Sequence, residues 1–158
     1  MAIEITPFLW FDGRLDEAVE LYTETFEGTR VLERQRYPEG APVNAGRTMS
    51  VTIELTGRVV TLFDGGPGHP QTEAFSLMVR CDTQEEVDRY WERLTSDGGA
   101  ESMCGWLLDP FGVSWQIVPA ELPGLLQHPD PAAARRVMTA MLGMRKLDLG
   151  ELKAAAAG

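Results

Sequence analysis

The stretch that decides the fold of this 158-residue chain is Cys104-Gly105-Trp106-Leu107-Leu108-Asp109-Pro110-Phe111-Gly112-Val113-Ser114-Trp115-Gln116-Ile117-Val118-Pro119. The pattern predicts two short strands joined by a tight turn at Asp109-Pro110-Phe111-Gly112. Because side chains alternate along a strand, Ser114 and Gln116 share one face of the second strand, while Trp115 and Ile117 share the other. The hairpin therefore carries a polar pair on a face where strands usually bury apolar groups.

The chain also contains an internal repeat. When the sequence is shifted by 68 residues (from 17 to 85), the segment Glu17–Tyr22 aligns with Glu85–Tyr90. The two segments share a Glu, a Val and a Tyr at equivalent positions. An apolar segment precedes each copy, at residues 5–11 and 75–79, and glycine follows each copy. With the strand patterns after each helix, both halves are predicted to be β-α-β-β-β.

Amphipathic periodicity predicts helices at 14–27 and 83–96, with Asp82 as the N-cap of the second. Asp130-Pro131 predicts the start of a third helix at 131–142, and a last short helix is expected at 148–156. The apolar stripe of the third helix has no assigned partner within the two halves. It consists of Ala134, Val137, Met138, Met141 and Leu142. We expect a homodimer for this reason, since a symmetric copy offers a self-complementary surface.

Composition limits the partners. Fourteen basic against 24 acidic residues give a net charge of −10, which argues against nucleic acid or an anionic membrane as the main partner. No segment is apolar enough to span a bilayer, and no secretory signal is visible. The two cysteines are far apart, so a reduced, cytoplasmic setting is the simplest interpretation.

Several strings carry a family resemblance, above all the run from Cys104 to Pro119, together with Thr6–Phe11, Asp64–Pro67 and Val87–Trp91. In these the chain resembles the PhnB-like branch of the vicinal oxygen chelate superfamily (glyoxalase/bleomycin-resistance/dioxygenase). The resemblance implies an α+β fold with two tandem βαβββ modules, each an open half-barrel, that enclose a cleft. It gives one domain over 1–158, made of module one (1–66), module two (73–119) and a C-terminal helical extension (130–158).

Enzymes of that superfamily usually hold a divalent metal on two histidines and two glutamates. The spacing of that pattern places the ligand positions at Pro7, Phe75, Thr61 and Gln116. Proline and phenylalanine cannot bind a metal, while threonine and glutamine are poor neutral donors. We therefore predict no metal. The two histidines, both expected in exposed loops, are His69 and His128.

The branch is often labelled 3-demethylubiquinone-9 3-methyltransferase, a label that the residues do not support. An S-adenosylmethionine site of the usual kind needs a glycine-rich loop that opens a helix. The one glycine cluster, Asp64–Gly68, contains Pro67 and is followed by Pro70, where that helix would have to lie. We predict a connecting loop, and no cofactor.

By the resemblance, the residues that face the cleft include aromatic and neutral polar side chains. The ligand-binding candidates are Trp10, Thr61, Phe63, Trp106, Ser114 and Gln116, with Phe8, Phe75 and Leu77 either lining the cleft or filling the core. Asp64 and Cys104 are weak catalytic candidates, because the sequence places no histidine near the thiol.

Two functions from different classes stay open. The first is metal-independent binding of a small, partly aromatic organic molecule in the cleft between the modules. The second is an enzyme with non-metal chemistry on a carbonyl or quinone-like substrate, in which Asp64 or Cys104 acts and Gln116 orients the carbonyl. A third possibility is an interaction module whose role lies in its dimer surface.

Overall fold

The computed structural model describes residue 3 and residues 5–158. Packing divides the chain into two compact units, Met1–Gln71 and Thr72–Gly158. Within the described residues, no helix has the length and apolar character that crossing a bilayer requires.

The first unit is a four-stranded sheet with one helix. Its elements are β1 (Phe8–Phe11), α1 (Leu15–Thr25), β2 (Arg30–Arg36), β3 (Thr48–Leu55) and β4 (Arg58–Asp64). The strand order is β1-β4-β3-β2. β1 runs parallel to β4, and the other neighbours are antiparallel. β3 and β4 are joined by a hairpin in which Thr56 and Gly57 both have positive φ, as the Thr-Gly pair predicts.

The core of the first unit lies between α1 and one face of this sheet. Ala18 and Tyr22 of α1 are buried, as are Val51, Ile53 and Leu62 of the sheet. Because side chains alternate, the neighbouring residues of each strand project from the other face. We call that other face, on which α1 does not pack, the helix-free face.

The second unit repeats this arrangement. It contains β5 (Leu77–Cys81), α2 (Gln84–Thr95), β6 (Ala100–Glu101), β7 (Trp106–Leu108) and β8 (Ser114–Pro119). The order β5-β8-β7-β6, with β5 parallel to β8, is the topology of the first unit, with β6 and β7 shorter than their counterparts β2 and β3. The predicted α+β fold of two βαβββ modules is confirmed, and each sheet is open.

The turn between β7 and β8 is organised by the side chain of Asp109, which is only 2% exposed. Its Oδ1 accepts hydrogen bonds from the backbone N–H groups of Phe111 (2.9 Å) and Val113 (3.0 Å). Its Oδ2 accepts one from the indole Nε1 of Trp115 at 2.9 Å. Gly112 completes the turn with φ of +82°, in the left-handed region that glycine adopts without strain.

The N-terminus of α2 differs by one residue from the sequence prediction. Thr83, not Asp82, is the N-cap, and its hydroxyl accepts from the N–H of Glu86 at 3.2 Å. The carboxylate of Glu86 in turn accepts from the N–H of Asp82 at 2.7 Å. A threonine followed three residues later by glutamate is the pattern of a capping box. Here the glutamate reaches one residue further back, to Asp82, whose own preference for the N-cap hid the pattern in the sequence.

Three helices follow β8: α3 (Leu122–Leu126), α4 (Pro131–Gly143) and α5 (Leu149–Ala157). α4 and α5 match the predicted helices closely. α3 was not predicted, because Pro123 and Gly124 read as helix breakers. Proline is tolerated in a first helical turn, where its missing N–H leaves no intrahelical bond unmade.

These helices build a small core within their own unit. Leu122, Val137, Leu147 and Leu152 are buried together, with Met141 and Met144 packed against them. The stripe of α4 therefore has a partner in its own chain, contrary to the reasoning behind the predicted dimer. Only its outer part stays open, since Met138 is 41% and Leu142 57% exposed.

The segment 144–149 between α4 and α5, which we call the strap, is fastened to the rest of the second unit. The carbonyls of Met144 and Arg145 accept from the N–H groups of Cys104 (2.8 Å) and Gly105 (2.7 Å). The amide of Gln84 bonds both the carbonyl of Leu147 and the N–H of Leu149, at 3.1 and 2.8 Å.

Lys146 adds an ion pair with Asp88 at 2.5 Å, and its hydrogen bond lowers the pKa of the Asp88 carboxyl. Both side chains are largely exposed, so the pair adds little stability.

Candidate functional site

The helix-free face of the first sheet changes character from one side to the other. The register aligns the residues in two rows across the strands: Phe8, Thr61, Thr52 and Glu33 in the first, and Trp10, Phe63, Ser50 and Gln35 in the second. The rows begin with aromatic side chains on β1, pass through hydroxyls on β3 and end with a carboxylate and an amide on β2. Among the ligand-binding candidates, Trp10, Thr61 and Phe63 are thus brought together.

The aromatic end is a cluster of four rings. The ring centroid of Phe63 lies 5.4 Å from that of Phe8 and 5.0 Å from that of Trp10, the latter edge-on. His69 stands edge-on to Trp10 at 4.5 Å. These separations are favourable for aromatic pairs. Phe8 nevertheless remains 59% exposed, so the cluster offers apolar ring surface to a further molecule.

The loop after β4 fixes Trp10. The indole Nε1 donates to the carbonyl of Gly66 at 2.7 Å, and Gln71 donates from its side-chain amide to the carbonyl of Trp10. A Cβ on Gly65 would lie 2.1 Å from the Trp10 ring and 2.5 Å from the Phe63 ring. Glycine is therefore required at position 65, so that the loop can pass beneath the two rings.

His69 is a member of the site that sequence reasoning missed. The sequence placed it in a loop but gave no indication of which ring it would meet. The structure brings its imidazole to Trp10 because residues 65–71 fold back on β1. Proximity to the Asp64-Gly65-Gly66 string is the one signal in the sequence that points to it.

The middle of the face carries neutral hydrogen-bonding groups. The hydroxyls of Thr52 and Thr61 lie 3.1 Å apart and share one hydrogen bond. Each retains acceptor capacity for a ligand, since a hydroxyl has two lone pairs. At the outer strand, Gln35 donates to the carboxylate of Glu33 at 2.9 Å.

The second sheet brings together the other candidates. Trp106 and Gln116 are paired across β7 and β8, and Leu108 is paired with Ser114. On the opposite face of the strand, Trp115 and Ile117 are fully buried. The Gln116 amide donates to the hydroxyl of Ser76 at 2.8 Å, which orients its carbonyl oxygen.

The register of β5 places Leu77, for which lining the cleft and filling the core were both open from the sequence. Leu77 is paired with Trp115 and therefore lies on the buried side of the sheet. Met78 is paired with Gln116 and is 57% exposed. A shift of one residue exchanges the two faces of a strand. Phe75 precedes β5 and is 49% exposed.

Ser114 is buried, and its hydroxyl has no hydrogen-bond partner among the residues that the structure describes. An unpaired buried hydroxyl costs free energy, so such groups usually bond a ligand or an ordered water.

Asp64 lies apart from the ligand-binding candidates. It projects from the face opposite Thr61 and Phe63, and it is 5% exposed. Its Oδ1 accepts from the N–H of Gly13 at 2.9 Å, and Arg47 lies 3.6 Å from Oδ2. These contacts tie the start of α1 to the end of β4. Asp64 also borders a surface depression of about 420 Å³.

The cysteines show no feature of a catalytic nucleophile. Cys104 has a left-handed backbone, with φ of +58°, because the strap holds its N–H. Its thiol has no hydrogen-bonded base among the described residues. Burial raises the pKa of the Cys81 thiol to about 12, so this cysteine stays protonated and inert near neutral pH.

The residues at the superfamily's metal positions do not fit a divalent ion. Thr61 lies on the helix-free face of the first sheet, and Gln116 lies on the face of the second sheet opposite the buried Trp115. Each contributes a neutral oxygen that binds such ions weakly. In the described part of the chain, no three side chains of His, Cys, Asp or Glu come together as a metal site.

Comparison with known proteins places the chain in a family. A family model described as 3-demethylubiquinone-9 3-methyltransferase matches residues 3–118. The PhnB protein from Bacillus cereus is 35% identical, with 75% of this chain and all of that chain covered and a TM-score of 0.68. The chain belongs to the PhnB-like 3-demethylubiquinone-9 3-methyltransferase family. The resemblance noted in the sequence is thereby confirmed.

More distant structures share the fold with this PhnB-like chain. The protein PA1353 from Pseudomonas aeruginosa is 23% identical, with a TM-score of 0.58, and covers 75% of this chain and 98% of its own. The fosfomycin resistance protein FosX from Listeria monocytogenes is 13% identical, with a TM-score of 0.59, and covers 81% and 99%. No curated protein matches the chain.

The family model stops at residue 118. The helices α3 to α5 and the strap lie beyond the matched residues. The helix-free face of the first sheet and the candidates Trp106, Ser114 and Gln116 of the second sheet, in contrast, lie within the match.

Proposed function

We propose that this PhnB-like protein binds a small, partly aromatic organic molecule without a metal ion. The observation that carries the proposal is the cluster of Phe8, Trp10 and Phe63, with open ring surface beside the hydroxyls of Thr52 and Thr61. Ligand sites commonly combine apolar and aromatic walls with a few polar groups that fix orientation.

The family description directs the choice of ligands to test first. Its name refers to a demethylubiquinone, a planar ring with oxygen substituents. Such a ring suits aromatic side chains beside hydroxyl donors. S-Adenosylmethionine is expected not to bind, because the loop 65–71 is engaged with Trp10 and no helix follows it before β5.

The test is a thermal-shift screen with quinones, aromatic antibiotics, 2-oxo compounds and S-adenosylmethionine, repeated after treatment with a chelator. A ligand that binds only the native state raises the melting temperature by mass action. The Phe8→Ala variant is expected to lower the affinity of the best ligand about tenfold, since an aromatic contact contributes on the order of 1 kcal/mol beyond the area it buries. Isothermal titration calorimetry measures that change.

The matched control is Val43→Ala, which removes an apolar side chain of similar exposure (64% against 59%) from the loop between β2 and β3. Its affinity should equal that of the unaltered protein. If chelation abolishes binding, or if both variants bind as well as the unaltered chain, the proposal fails.

We also infer a homodimer, now on narrower grounds than the whole stripe of α4. Met138 and Leu142 remain exposed on α4, while Val137 of the same helix is buried and Met141 packs against the core of its own unit. Light scattering at micromolar concentration should give about twice the chain mass of 17.5 kDa. The Met138→Glu/Leu142→Glu double variant should give one chain mass with unchanged circular dichroism. A monomer in the unaltered protein would contradict the inference.

A further inference from the structure

At the β2 edge of the helix-free face, one negative charge has no cation beside it among the described residues. The face holds two carboxylates, Glu33 and Glu54. Glu54 is paired with Arg30 at 2.8 Å. Glu33 has only the neutral amide of Gln35 as its hydrogen-bond partner, and no cation pairs with it among the described residues.

The register sets the distance between this charge and the rings. Glu33 lies in the same row as Phe8, Thr61 and Thr52. Adjacent strands are about 4.8 Å apart, so Glu33 on β2 is about 10 Å from the β4 strand that carries Phe63. Between them lie hydroxyls, and no residue of either row other than Glu33 is charged.

The geometry points to a two-ended ligand: an aromatic ring that packs on Phe8, Trp10 and Phe63, joined by a chain of about 10 Å to a basic amine that pairs with Glu33. This inference rests on the proposed function and specifies the chemical class of ligand. The ammonium donates to the Glu33 carboxylate, and polar groups along the chain meet Thr52 and Thr61.

Two features of β2 agree with a position that receives a solvated group. All seven of its residues are exposed. Its register with β3 shifts between Val31 and Glu33 and again between Gln35 and Arg36. Such irregularities and charges discourage another strand from pairing with an open edge, so the outer strand stays accessible to a small molecule.

The experiment uses ω-phenylalkylamines with two to eight methylenes, and the alcohols and carboxylates of the same lengths, titrated calorimetrically into the full chain. The amines are expected to bind most tightly near six methylenes, about threefold more tightly than the matched alcohol. That factor is typical of an exposed ion pair. It should disappear at about 1 M salt, where the Debye length is about 3 Å.

Two isosteric variants assign the effect to a single carboxylate. Glu33→Gln should abolish the preference for amine over alcohol while leaving alcohol affinity unchanged. Glu54→Gln, on the same face but already paired with Arg30, should keep the preference.

The outcomes separate the two proposals. If neither amines nor alcohols bind, the proposed function fails for this class of molecule. If alcohols bind, Phe8→Ala weakens them and amines have no advantage, the aromatic site stands and the two-ended ligand is wrong. An amine preference that is independent of chain length and survives Glu33→Gln would place the cation on the rings and would also overturn the inference.

Discussion

The Asp109→Ala variant is expected to lose about 4 kcal/mol of unfolding free energy. The Asp109 carboxylate is buried and accepts from Phe111, Val113 and the indole of Trp115. Its removal leaves three donors without this acceptor, and the hydrogen bonds from Val113 and the indole of Trp115 are buried. Each unsatisfied buried group costs about 1–3 kcal/mol, with incomplete additivity. For a chain of this size the melting temperature should fall by about 10 °C.

Denaturant unfolding followed by near-ultraviolet circular dichroism measures the loss. Asp109→Asn should lose less, since an amide oxygen still accepts while its NH₂ group faces the remaining donors. Glu92→Ala, an exposed carboxylate on α2, should change stability by less than about 0.5 kcal/mol. A loss below about 1 kcal/mol in Asp109→Ala would show that the turn does not depend on the carboxylate.

The Gly65→Ala variant is expected to lose about 2 kcal/mol and most of its ligand affinity. The added methyl would meet the Trp10 ring at 2.1 Å and the Phe63 ring at 2.5 Å, and Trp10 is held by its bond to Gly66. The ring therefore has to leave its position. Overpacking of this kind costs about 1–3 kcal/mol, and it breaks the aromatic cluster that forms the binding surface.

The measurements are unfolding free energy, indole fluorescence and calorimetric titration with the best ligand from the screen. Gly124→Ala is the control, because no atom lies within 4 Å of its added Cβ. It should preserve both stability and affinity. Should Gly65→Ala bind ligand normally, the Trp10 position would be irrelevant to binding.

The sequence predicts the fold well because the informative signals are local. Alternation, helical periodicity and the turn at Asp109–Gly112 each depend on neighbouring residues, and the repeat adds a second copy of the same pattern. The cap at Thr83 and the helix α3 were missed for local reasons too. In the first case Asp82, itself a common N-cap residue, obscured the cap at Thr83. In the second, Gly124, which is unfavourable inside helices, obscured the helix α3.

The candidate site is predicted less well because it depends on register. Strand alternation gives two faces, but it does not say which residue of β5 is level with Gln116, and so Leu77 stayed open between the two faces while Met78 was not considered. The bulges in β2 likewise hide from the sequence that Glu33 is level with Thr52. The position of His69 depends on the path of a loop, for which no periodicity exists.

The strap has a consequence for the order in which the protein is made. Strands β1 to β4 are complete once residue 64 has been synthesised. The second unit needs Leu147 and Leu149 to satisfy Gln84. At about 5–20 residues per second, residues 85–149 take roughly 3–13 s to emerge after Gln84. During that interval Gln84 of α2 lacks its hydrogen bonds to Leu147 and Leu149. A nascent chain therefore passes through a stage in which the first sheet is complete and the second unit still lacks the strap.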